Sequence, residues 1–143
     1  MAWKLGVVGH FGLAVRDPKR SAAWWVKNLG LRKAFEFPHG VAVENDAITI
    51  ALFEGEPNPE TFDHVSFHLR SVRELQQALK DLRKRGVLLE DPGDEIGPEA
   101  PGSPHLGLWF RDLDGYRWEL SVQNAVKRAK KRSTKKPKKR KKK

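Results

Sequence analysis

Three side chains in this sequence could share a metal ion: His10, His64 and Glu119. His10 lies near the start of GHFGLAVRD (9–17), and His64 holds the matching place in DHVSFHLRS (63–71). In the first stretch Phe11, Leu13 and Val15 alternate with His10, Gly12 and Ala14, the period of two that marks a half-buried strand. In the second, Val65, Phe67 and Leu69 alternate with His64, Ser66 and His68. Glu119 lies in RWELSV (117–122), between the apolar Trp118 and Leu120. Each of the three is therefore expected on a strand face turned away from the core, and the three faces on one common concave surface. Two imidazoles and a carboxylate on rigid strands hold a divalent cation from one side and leave positions for water or substrate. Taken alone, a histidine such as His10 is better read as an ordinary hydrogen-bonded residue at a strand end. The common facing of all three points to a site. The chain has no cysteine, which excludes disulfides and thiolate ligands.

The elements that must position these residues come as a repeat. His10 aligns with His64, Leu13 with Phe67, Val15 with Leu69 and Arg16 with Arg70, at one constant offset. After the first strand comes PKRSAAWWVKNLGL, with Ala22, Trp25 and Val26 at helical spacing and Gly30 as a stop. After the second comes VRELQQALKDLRKRGV, with Val72, Leu75, Leu79 and Leu82 at helical spacing and Gly86 as a stop. Its Arg/Lys-rich last turn suits the negative end of the helix dipole. Strand-like segments follow each helix: KAFEFP, VAVEN and AITIALFE, then VLLEDP, LGLWFRD and YRWELSV. The expectation is an α+β chain of two tandem βαβββ modules, about 6–55 and 62–122, too small to close a core singly and so packed together. Laying TIALFE (49–54) over RWELSV matches Ile50 with Trp118, Leu52 with Leu120 and Ala51 with Glu119.

The net charge of +10 describes two unlike parts. Residues 127–143 hold 13 Lys or Arg and no acid, so the remainder has 15 basic against 18 acidic residues and is mildly acidic. A tail with almost no apolar residues to bury, whose charges repel, is expected to be disordered over 126–143. It reads as a solubilising extension, as a non-specific contact for nucleic acid or another polyanion, or as a nuclear-targeting run. No aromatics interleave it to stack bases. Without a long apolar run or a leader pattern, the domain is expected to be cytoplasmic and off the membrane, with a nuclear address left open by the tail.

With GHFGLAVRDPKRSAAWWVKNLGL, DHVSFHL and FRDLDGYRWEL in view, the sequence resembles the vicinal-oxygen-chelate superfamily, the glyoxalase / bleomycin-resistance / extradiol-dioxygenase group. The resemblance spans about residues 6–122. It implies a U-shaped mixed-sheet cleft around one divalent metal, with His10, His64 and Glu119 on three of the family's ligand positions. It favours Fe2+ or Mn2+ over Zn2+ or Ni2+. The fourth ligand position of glyoxalase I-like members falls on Ala51, which cannot ligate, and Glu54 has the wrong parity to replace it. That favours three-ligand members, the extradiol-type dioxygenases and the fosfomycin-modifying transferases. Dioxygenase relatives often carry a tyrosine where Trp109 stands, and the usual DPDG turn is DLDG here. The implied function is a metal-dependent enzyme on a small-molecule substrate, dioxygenase-like as a narrow first choice. A lyase, isomerase or thiol transferase on the same scaffold, or a metal-free drug- or metabolite-sequestering protein, are the alternatives. A homodimer, and whether modules pair within or between chains, stay open.

Five further residues could serve the cleft. His68 shares the strand face of His64, about 13 Å further along at the usual rise. It reads equally as a substrate-side group or a plain histidine. His105 follows the Gly/Pro-rich stretch 90–104, itself either a lid or a connector, and is a weak candidate general base. Trp109 could stack on a planar substrate or pack in the core. Ser66 and Ala51 are expected to line the cleft.

Overall fold

The computed structural model describes residues 2–90 and 96–126. Strand β1 (His10–Val15) leads into helix α1 (Pro18–Leu29), followed by β2 (Arg32–Phe37), β3 (Gly40–Glu44) and β4 (Thr49–Glu54). A short 3-10 turn at Pro59–Thr61 leads to the second module: β5 (Val65–His68), α2 (Val72–Lys84), β6 (Leu88–Leu89), β7 (Gly97–Pro98), β8 (Leu106–Arg111) and β9 (Arg117–Val122). The first module is a four-stranded sheet in the order β1-β4-β3-β2, with β1 parallel to β4 and the rest antiparallel. The second repeats the plan as β5-β9-β8-β6, with β5 parallel to β9 and β7 added on β8. The chain is thus α+β, two βαβββ modules, as the repeat predicted.

Local chemistry sets the helix ends. Asp17 caps α1, its carboxylate accepting from the N–H groups of Lys19 and Arg20, and Gly30 ends it at φ 69°. Ser71 caps α2 by accepting from Glu74 N–H. The apolar stripe of α1 then buries Ala22 and Trp25, and that of α2 buries Leu75 and Leu82.

One core serves both modules. Trp25 of α1 meets Trp118 of β9 edge to face, with ring centroids 4.9 Å apart, and Phe67 of β5 at 6.4 Å. Phe11 of β1 lies 5.6 Å from Trp118, and Trp24 stacks on Phe110 at 6.4 Å. Tyr116 ties the modules a second way: its hydroxyl donates to the Ala14 carbonyl at 2.6 Å and accepts from Asn58 N–H at 3.0 Å. Because the helix-facing sides of both sheets share this core, their other faces look outward from it.

The first strand opens at His10, as its alternation predicted, and Trp3, Leu5, Val7 and Val8 lie exposed before it. Other boundaries differ from the sequence expectation. The segment VLLEDP shrinks to two paired residues, while Gly97–Pro98, expected as loop, pairs with β8. Proline has no N–H, so that strand stays short and on an edge. Residues 127–143 of the expected disordered tail and residues 91–95 of the candidate lid fall outside the described residues, while Val126 is described and donates its N–H to the Pro104 carbonyl.

Candidate metal centre

The outward face of the second sheet is set by strand pairing. Glu119 lies opposite Ser66 on β5 and opposite Trp109 on β8. His64 comes one residue before β5. Register in β9 depends on the β8–β9 turn, where Asp112 accepts from the N–H groups of Asp114 and Tyr116 and from Trp118 Nε1. Trp118 is thereby fixed inward, and alternation turns Glu119 outward. Glu119 is nevertheless only 1 % exposed. Gly107 leaves room for it: a Cβ there would stand 2.6 Å from Glu119 Oε1.

His64 and Glu119 meet. His64 Nε2 lies 3.2 Å from Glu119 Oε2, and His64 Nδ1 lies 2.5 Å from Asp63 Oδ1. The His64 hydrogen bond holds the Asp63 carboxyl below its ordinary range. An ionised carboxylate only accepts, so Nδ1 carries a hydrogen toward Asp63. Nε2 faces a Glu119 carboxyl oxygen, and a contact at that distance needs a proton or a cation between the two atoms. Burial pushes the Glu119 carboxyl up to about 7, and the neighbouring Glu99 carboxyl adds to the rise; the His64 charge and the Ser66 hydroxyl act against it. Glu119 Oε1 is buried with no hydrogen-bond partner. A buried carboxylate with an unpaired oxygen, beside an imidazole whose other nitrogen is already held, fits two donors of a divalent cation site.

His10 does not join them. It lies exposed on β1, paired with Thr49, on the outward face of the other sheet. Among the described residues no group of three or more His, Asp or Glu is arranged to hold a metal ion. The expectation of one surface shared by three strands therefore does not hold within the single chain: the core between the modules sends the two outward faces apart.

The remaining candidates divide. Ser66 borders Glu119, its Oγ 2.9 Å from that of Ser121. Trp109 stands beside Glu119 with the Arg117 guanidinium 5.6 Å above its ring, half-buried on the site face rather than in the core. Ala51 lies with Gly12 on the His10 face. His68 is exposed at the end of β5, on the border of a cavity of about 780 Å³ that Phe11, Trp25, Phe67 and Leu82 also line. His105 accepts Asn124 N–H on Nδ1 at 2.9 Å, an anchor for the turn after β9. Sequence reading missed Asp63, Glu99, Gly107 and Arg117. Asp63 stands beside a flagged histidine, but nothing in the sequence told which way it turns.

Residues 7–120 match the model of the glyoxalase / bleomycin resistance protein / dioxygenase superfamily. The chain belongs to this superfamily. Among solved structures of the same fold, the fosfomycin resistance protein FosX of Listeria monocytogenes superposes with a TM-score of 0.68 at 18 % identity, covering 83 % of this chain and 94 % of that one. The lactoylglutathione lyase of Agrobacterium tumefaciens gives 0.66 at 14 %, covering 84 % and 96 %. An integron cassette protein of Vibrio cholerae gives 0.63 at 25 %, covering 84 % and 97 %. No curated protein sequence matches this chain significantly. Among the described residues no helix is long and apolar enough to cross a membrane.

Proposed function

We propose that this superfamily member is a metal-dependent enzyme acting on a small oxygenated molecule, with His64 and Glu119 of one chain and His10 of a second copy as its metal ligands. The observation that carries this is the His64–Glu119 pair, an imidazole nitrogen and a buried carboxylate 3.2 Å apart with the far ring nitrogen already bonded. His10 completes the set from another chain because it is exposed, sits at the start of an edge strand, and follows an arm whose Leu5 and Val7 are 88 % and 93 % exposed. An apolar arm of that kind suits burial against a second copy.

A divalent ion held there supplies Lewis-acid chemistry to two neighbouring oxygens of a substrate, and redox chemistry toward O2 where it is iron(II). The chain's own residues do the rest. Asp63 orients His64. Ser66 and Ser121 offer hydroxyls beside Glu119. Trp109 supplies a flat apolar wall for a planar substrate, with the Arg117 guanidinium over its ring. Dioxygenase-like chemistry is the first reading, because three protein ligands leave positions for both O2 and a bidentate substrate. A metal-free sequestering protein is the second, favoured by the separation of His10 from the pair within one chain.

Metal content of protein purified without a metal-binding tag separates the two. The expected result is about one divalent ion per chain, abolished in His10→Ala, His64→Ala and Glu119→Ala alike. Protein that stays empty after reconstitution with iron, manganese, zinc and nickel sinks the enzyme reading.

A further inference from the structure

We propose that Asp63, held by Arg117 that Glu90 in turn clamps, is the positioning residue that sets the tautomer of His64 and so turns its Nε2 lone pair toward Glu119; the link to metal binding rests on the function proposed above. Four ionic side chains form one line into the site. Arg111 and Arg117 stand opposite each other on β8 and β9, a placement that like charges ordinarily disfavour. Glu90, just after β6, bridges them: its two oxygens lie 2.6 Å from Arg111 Nη2 and 2.7 Å from Arg117 Nε. With Nε so engaged, the Arg117 guanidinium presents Nη1 to Asp63 Oδ1 at 3.1 Å while its plane covers Trp109. The same Asp63 oxygen accepts from His64 Nδ1.

The Asp63 side chain is 82 % exposed, and an exposed ionic contact adds little to stability. Its consequence is directional. With Asp63 in place the His64 hydrogen is held on Nδ1, and Nε2 is left as the ring atom free to ligate. Without an acceptor at Nδ1 the hydrogen moves toward Nε2, where the Glu119 oxygen 3.2 Å away accepts it. A free Asp63 could swing into water; Arg117, itself clamped by Glu90 and by the indole beneath it, holds it over the ring. Partners of this kind behind a metal-bound histidine tune affinity rather than fold.

The test uses the full chain, stripped of metal, at a pH where the ring is neutral. Nitrogen-15 NMR of the His64 ring reads the tautomer directly. The wild type is expected in the Nδ1–H form. Asp63→Ala should shift the ring toward the Nε2–H form, and Arg117→Gln should give a smaller shift in the same direction, with thermal unfolding midpoints near wild type. A wild-type ring in the Nε2–H form, or a tautomer unchanged in Asp63→Ala, overturns the proposal. Affinity for Mn2+, measured by calorimetry on the same proteins, should fall about 10–100-fold in Asp63→Ala. If the wild type binds no metal yet Asp63→Ala still shifts the tautomer, the positioning role stands and the metal reading fails. If the wild type binds metal and the tautomer ignores Asp63, the positioning role fails alone.

Discussion

Glu119 is the carboxylate that burial forces to choose between a proton and a cation. With its pKa pushed up to about 7, chiefly by burial, it carries a proton over much of the mildly acidic range. Proton and metal compete for the same oxygens. The sign follows: below about 7 the proton must be expelled before the metal binds, so apparent affinity should fall roughly tenfold per pH unit, and above that value it should level off. Calorimetric titration with Mn2+ across that range checks this; an affinity flat through it means Glu119 is not a ligand. Gly107 offers a second test. In Gly107→Ala the new methyl enters the space of the Glu119 carboxyl, whose Oε1, Cδ and Cγ lie 2.6, 3.1 and 3.2 Å from the added Cβ. The side chain must swing away, at a cost of about 1–3 kcal/mol by the usual overpacking penalty. Metal affinity should fall in step, whereas a structurally neutral glycine would change neither measurement. Neither Gly107 nor Asp63 was legible as part of the site. A glycine's absent side chain matters only when something fills its place, and a carboxylate next to a histidine in sequence can turn either way.

Helix α1 does the work of joining the modules, and it does so through two adjacent tryptophans. Trp25 is 1 % exposed and touches both Phe67 and Trp118 of the other module. Trp25→Ala should therefore destabilise the whole chain by about 3–5 kcal/mol, the range for deleting a buried aromatic. Urea unfolding followed by fluorescence would show it as a lowered midpoint with one cooperative transition. Two separated transitions would mean the modules fold independently, contrary to the shared core. Both helices were legible from apolar spacing and from stops at Gly30 and Gly86, because a helix patterns its own sequence. Strand β7 was not. Two residues including a proline carry no periodicity, and only the neighbouring β8 makes them a strand.

The assembled molecule decides whether the site exists in one chain or between two. If His10 acts from a partner, His10→Ala and Glu119→Ala are complementary lesions. Each mutant alone should bind no metal. Refolded together in equal amounts, half the dimers become hybrids with one intact site each, so metal content should recover to about a quarter of wild type. No recovery, in a mixture shown to exchange subunits, would place the ligands in one chain or remove His10 from the set.

The sequence by itself determined the repeat, the two helices, the inward and outward faces of β1, β5 and β9, and the identity of His64 and Glu119 as neighbours on one surface. All of these follow from periods of two and 3.6 residues that each element writes into its own residues. Only the tertiary structure decided where His10 goes. Strand parity says which side of its own sheet a residue faces, but not how two sheets are turned toward each other. Here the aromatic core of Trp25, Phe67, Phe110 and Trp118 lies between them, so the face that bears His10 and the face that bears Glu119 look outward separately.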